Sequence, residues 1–164
     1  MSSFKTTEQS ASFNSLLEEG SEKLVWITPK APLSFRFTWE KVQFTGKLSK
    51  TGSEHRLLLL GDMGPLPFSA EDPGFRERLL KLVSWKPAER IKFVMEPQRQ
   101  RIYMMIDDII KRELTGQILI ASAVASLFHA RPFMELAKEI GWQHPADDPK
   151  LSPNIVPKAV VELD

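Results

Sequence analysis

From residue 33 onward, apolar and polar positions alternate with a period of two. Leu33, Phe35, Phe37 and Trp39 are interleaved with Ser34, Arg36, Thr38 and Glu40, the pattern of a strand with one buried face. After Glu40-Lys41 the parity changes, and Val42, Phe44 and Leu48 carry the apolar side. A two-residue turn at Glu40-Lys41 would set Trp39 opposite Val42, Phe37 opposite Phe44 and Leu33 opposite Leu48, all on one face. One continuous bulged strand over 33–48 would instead span about 50 Å, more than the roughly 40 Å width of a domain this size, so the pattern predicts a hairpin. Glu-Lys is a poor type I′ pair, which predicts a looser turn than the counting implies.

A turn at 50–53 leads into 55–60, where four consecutive leucines, apolar on both faces, predict a central strand. Residues 61–67 (Gly-Asp-Met-Gly-Pro-Leu-Pro) predict a rigid, non-helical connector. Asp72 then has the character of an N-cap, with Pro73 at the first helical position and Phe75, Leu79 and Leu82 as the buried stripe of a helix that stops before Pro87. A strand follows at 90–95 through Ile91, Phe93 and Met95, and then a polar loop at 96–100.

Residues 101–114 fit two templates. As a helix, Ile102, Met105, Ile106, Ile109 and Ile110 fall on one stripe; as a strand, Ile102, Met104, Ile106 and Ile110 share a face broken only by Asp108. Periodicity slightly favours the helix, and the short preceding loop and the isoleucines favour the hairpin strand. Thr115 is the expected cap of a long last helix reaching about Ile140, bent by Pro132 and closed by Gly141.

Toward the N-terminus, Phe13, Leu16 and Leu17 predict a short amphipathic helix over 8–19, and 23–28 an extended segment. Residues 1–7 are expected to be disordered and 143–164, with Pro145, Pro149, Pro153 and Pro157, to be an extended tail in which only Ala159-Val160-Val161 could dock as an edge strand. The domain proper is then 8–142. These elements define an α+β class: helix, three-stranded antiparallel meander, helix, β-hairpin, and a long C-terminal helix packed on one twisted antiparallel sheet.

Composition narrows the chemistry. The chain has 164 residues, 42% of them apolar, with 22 Lys+Arg against 21 Asp+Glu and no cysteine. A net charge of +1 gives no reason to expect nucleic acid, and the missing thiols remove Cys nucleophiles, Cys-ligated metal and disulfides, which permits a reducing, cytoplasmic setting. The most apolar stretch, 117–130, is too short for the roughly 20 residues that span a bilayer, so no membrane partner is expected.

Candidate catalytic groups are weak. His55, His129 and His144 have no metal-ligand spacing, so no metal or other cofactor is expected. Asp107-Asp108 would face opposite sides of a strand, with Asp107 solvated and Asp108 paired to Arg or Lys or lying at the sheet edge. Gly61-x-x-Gly64 lacks the Lys-Ser/Thr of a phosphate loop, and Ser34, Ser69 and Ser84 lack a nucleophile-elbow setting. Arg99, Arg101, Lys111 and Arg112 mix with acidic neighbours as a solvated surface. The unusual feature is apolar: Trp26, Phe35, Phe37, Trp39 and Phe44 crowd one region, covered either by helices or by a partner chain.

The element order, with the run Leu57-Leu58-Leu59-Leu60-Gly61-Asp62-Met63-Gly64-Pro65-Leu66-Pro67 ahead of a leucine-rich helix, then Phe93-Val94-Met95-Glu96-Pro97 and Leu114-Thr115 opening the last helix, resembles the type III secretion chaperone (Tir-chaperone) family over about 10–141. That order selects the strand for 101–114. The resemblance implies a non-catalytic homodimer that holds an extended segment of a client polypeptide on apolar patches. Carried over, Phe13, Leu16, Leu17, Phe35 and Phe37 are partner-binding candidates, and Phe75, Leu79 and Leu82 dimer-interface candidates. Secretion chaperones are usually acidic, and the balanced charge of this chain points to a relative of the family with another client. The competing expectation is a small-molecule carrier or enzyme with an apolar pocket between sheet and C-terminal helix.

Overall fold

The computed structural model describes residues 11–12, 28–86 and 88–145. Its elements are β1 (Ala11–Ser12), β2 (Leu33–Trp39), β3 (Val42–Thr51), β4 (Glu54–Pro65), α1 (Pro73–Ser84), β5 (Ile91–Glu96), β6 (Arg101–Ile110) and α2 (Gly116–Glu139). Strands β2 to β6 form one antiparallel sheet in the order β2-β3-β4-β6-β5, and β1 adds two residues in parallel beside Phe35 and Arg36. The class is α+β, with α2 packed against the sheet. Ala11 and Ser12, expected within a helix over 8–19, are strand residues; the rest of that helix, the segment 23–27 and the tail beyond 145 lie outside the described residues.

The expected hairpin forms in the expected register, with Trp39 opposite Val42, Phe37 opposite Phe44 and Leu33 opposite Leu48. Its turn is tight rather than loose. Glu40 and Lys41 both adopt positive φ, 47° and 67°, as a two-residue type I′ turn requires. Long-range charge offsets the poor local propensity: the Glu40 carboxylate accepts from Lys138 Nζ at 2.6 Å and lies 3.9 Å from Arg131 Nε, both on α2.

Alternation along every strand sends one set of side chains to the core. Phe35, Gly46, Leu59, Ile106 and Ile91 form one row across the five strands, and Phe37, Phe44, Gly61, Met104 and Phe93 the next. The large side chains of both rows are buried. Helix α2 lies over them on a seam of small residues spaced by seven, Gly116, Ala123, Ala130 and Ala137, all buried, so the helix can approach the sheet closely. Thr115 caps it by accepting from the Ile118 N–H at 3.1 Å, and Pro132 lies inside it.

The connector expected at 61–67 is in large part strand. β4 continues to Pro65, with a bulge between Asp62 and Gly64 after which Gly64 pairs with Ile102. Gly64 takes a φ of 98°, and its N–H donates to Asp62 Oδ1 at 2.9 Å, so the glycine and the carboxylate together make the extra residue possible. Residues 101–110 form a strand that pairs with β4 and, over 101–106, with β5 as well, and α1 begins on the expected cap, where Asp72 accepts from the Phe75 N–H at 2.9 Å.

Candidate binding face

The side of the sheet away from α2 presents the alternate residues of each strand. Across β2, β3, β4, β6 and β5 one row reads Arg36, Thr45, Leu60, Met105, Lys92; next to it Thr38 lies opposite Gln43, and Asp62, Tyr103 and Val94 are in line. Leu58, Leu60, Val94, Tyr103 and Met105 are half-buried there, an apolar floor between polar margins. The surface forms an open trough of about 840 Å³, with Leu60, Val94 and Tyr103 beside the charged Arg36, Lys47, Asp62, Glu96 and Arg99.

Three acidic groups of this face, Asp62, Glu96 and Asp107, lie against arginines. Arg101 grips Asp62 through Nη2, 2.8 Å from both carboxylate oxygens. Glu96 lies 3.8 Å from Arg99 Nε. Asp107, expected to be solvated, takes a two-pronged contact from Arg56, with Nε donating to Oδ1 at 2.8 Å and Nη2 to Oδ2. These hydrogen bonds hold the Asp107 carboxyl below its usual value; partial burial opposes them, and the positive charge of Arg56, with Lys92 and Arg90, adds to the lowering.

Because this carboxyl titrates lower when folded than when unfolded, its contribution to stability is present above the unfolded value and disappears as pH falls through the folded one. Denaturant unfolding along an acid pH series should therefore show a flatter acid limb in Asp107→Asn than in the wild type. Identical limbs would remove Asp107 from the acid sensitivity of the fold.

Asp108 faces the opposite, core side, as expected. Arg90 Nη1 donates to it at 3.0 Å, and the buried Ser126 hydroxyl donates at 3.2 Å, so the one carboxylate intruding on the core face is paired.

Of the residues expected to bind a partner, Phe35 and Phe37 do not reach this face. Phe35 and Phe37 are 4% and 6% exposed, and Phe37 stacks on Phe44 with centroids 5.3 Å apart, which makes them core rather than surface. Phe13, Leu16, Leu17 and Trp26 lie outside the described residues. Leu79 and Leu82, taken as dimer candidates, are 2% and 5% exposed because they pack into the core of their own protomer. Phe75 is half-buried against the same core, and the exposed apolar side chains of this region are Phe68, Leu80 and Trp85. A second, smaller groove of about 320 Å³ runs between Trp39 and the exposed Val124 and Phe128 of α2.

Among the described residues, no group of three or more His, Asp or Glu side chains could hold a metal ion, and no helix is long and apolar enough to cross a membrane. Four leucines in a row at 57–60 predict a strand apolar on both faces, which hides the half-exposed strip on this side; the alternation of Tyr103 and Met105 with core residues along β6 carries its signal.

Fold and face together define an α+β protein whose single antiparallel sheet is covered by helices on one side and, among the described residues, carries a half-exposed apolar strip on the other. No family model, no curated protein and no solved structure matches the chain.

Proposed function

We propose that the protein is a non-catalytic polypeptide-binding module, as its resemblance to the Tir-chaperone family implies, and that it holds an extended client segment on the open face of its sheet. The observation that carries this reading is the half-buried apolar strip of the sheet face, in which Leu60 and Val94 line an open trough and Leu58 and Met105 lie beside it. Apolar side chains in such a position gain by removing their remaining surface from water, and an extended segment offers side chains at the matching spacing. The competing carrier reading would use the groove of about 320 Å³ between Trp39 and Val124, Leu127 and Phe128 of α2; along the rest of the helix the buried Ala123, Ala130 and Ala137 bring α2 close to the sheet.

A cytoplasmic homodimer belongs to the same reading. With Leu79 and Leu82 inside the protomer, the contact between copies falls on other surface, and light scattering is expected to give the mass of two chains.

Immobilised random-sequence peptides probed with the wild type and with Leu60→Asp, each shown to be folded by circular dichroism, test the client reading. A subset of peptides should retain the wild type and release the variant. Retention of no peptide, or retention indifferent to this substitution, would contradict it.

A further inference from the structure

We infer that the segment held on the open sheet face is acidic as well as apolar: an extended stretch of a partner polypeptide in which carboxylates alternate with aliphatic side chains. This rests on the polypeptide-binding reading and specifies its client. The acids lining the trough, Asp62 and Glu96, already face Arg101 and Arg99, and Asp107 beside them faces Arg56. The cations are not balanced in return, because Arg36 and Lys47 have no acidic partner among the described residues.

The placement of these charges is ordered. Across β2 to β5, Arg36 and Lys92 stand at either side of Leu60 and Met105 in one cross-strand row, which continues beyond Arg36 to Ser12 of β1, and Lys47 lies two residues along β3 from Thr45 of that row. At about 4.8 Å per strand step, Arg36 and Lys92 are roughly 19 Å apart. An extended segment over β4 and β6 can set aliphatic side chains on Leu60 and Met105 while its carboxylates reach outward to Arg36 and Lys47 on one side and Lys92 on the other. A single-stranded nucleic acid would want a series of aromatic platforms, whereas Tyr103 is the one ring presented by this face among the described residues.

Fluorescence anisotropy with labelled peptides of about ten residues tests this, one alternating Val and Glu, a second alternating Val and Lys, with an oligothymidylate strand of the same length as a third probe. The full chain should bind the Val-Glu peptide about tenfold or more tightly than the Val-Lys peptide, with the preference shrinking as salt rises. Arg36→Glu combined with Lys47→Glu, both on exposed side chains, should remove that preference or invert it. Equal binding of the two peptides, lost together in Leu60→Asp, would overturn the acidic preference and leave the polypeptide-binding reading standing. Binding of neither peptide would overturn both. Selective binding of the oligothymidylate would replace the client with a nucleic acid, and a mass that falls from two chains to one in the charge-reversed variant, with no peptide bound, would assign the face to a second copy.

Discussion

Gly46→Ala and Gly61→Ala are each expected to destabilise the fold by about 1–3 kcal/mol, the larger effect falling where the covering ring is held more tightly. Each glycine sits directly opposite a phenylalanine on the neighbouring strand, Gly46 across from Phe35 and Gly61 across from Phe44. The ring lies over the glycine in both cases. A Cβ at Gly61 would stand between 2.5 and 3.0 Å from three atoms of the Phe44 ring, and one at Gly46 would enter the ring of Phe35. Neither ring can swing aside freely, because Phe44 is 1% exposed and Phe37 stacks against both.

The methyl group would have to push a packed aromatic off its rotamer or spread two strands, and interiors packed at crystal density absorb such shifts poorly. Gly74→Ala supplies the contrast: it lies in α1, the nearest atoms to an added Cβ are at 3.6 and 3.7 Å, and alanine is favoured over glycine in a helix by about 1 kcal/mol. Guanidinium unfolding should rank Gly74→Ala at or above the wild type and both sheet variants well below it. A Gly46→Ala protein as stable as the wild type would show that Phe35 is not fixed over the strand.

Trp142→Ala should have the larger effect, a loss of about 3–5 kcal/mol. Trp142 follows Gly141, whose φ of 102° turns the chain out of α2, and its own N–H donates to the Ala137 carbonyl at 2.9 Å. That turn delivers the indole, 7% exposed, into the core, where Nε1–H donates to the Met63 carbonyl at 2.7 Å. Met63 is the extra residue of the β4 bulge, so its carbonyl is a group that the strand ladder leaves short of a donor. One side chain therefore closes the last helix onto the irregular end of the central strand.

Trp142→Phe separates the two contributions. It keeps most of the apolar volume and leaves the Met63 carbonyl unsatisfied, which predicts a loss of about 1–3 kcal/mol, smaller than that of Trp142→Ala. Chemical denaturation followed by circular dichroism reads both variants. Equal losses in the two would assign the whole effect to the hydrogen bond, and no loss in either would remove the link between helix end and bulge.

What the sequence made legible was whatever depends on period and on local caps. The alternation of Phe35, Phe37, Val42 and Phe44 determines which side chains turn inward, and with them the hairpin register, because a slip of one residue would expose that whole set. Asp72-Pro73 and Thr115 mark helix starts by groups that act within three residues of themselves. The features that local reading missed depend on distant partners. The Glu40-Lys41 turn is tight because Lys138 and Arg131 hold its carboxylate. Residues 61–65 remain strand because β6 offers them a partner on the far side of a bulge.

The same division explains the candidate site. Phe35 and Phe37 carry the aromatic signal of a docking surface, yet their parity places them in the core with Phe44. The face left open among the described residues is built from Leu58, Leu60, Val94 and Met105, residues separated by 47 positions of chain from first to last and brought side by side by the pairing of β4 with β6 and of β6 with β5. Likewise the ion pairs of Asp62 and Asp107 are made with Arg101 and Arg56 on a neighbouring strand, and no spacing rule along one segment encodes them.

The absence of cysteine allows a direct test of the client-binding face, because one introduced thiol can carry a photo-crosslinker at a single known place. Gln43→Cys puts it on the exposed margin of the trough, and Ala121→Cys on the exposed side of α2. With the Val-Glu peptide as the probe, crosslinking should be strong from position 43, suppressed there by Leu60→Asp, and weak from position 121. Crosslinking that is stronger from 121, or absent from both positions, would contradict the assignment of the open sheet face as the client-binding surface.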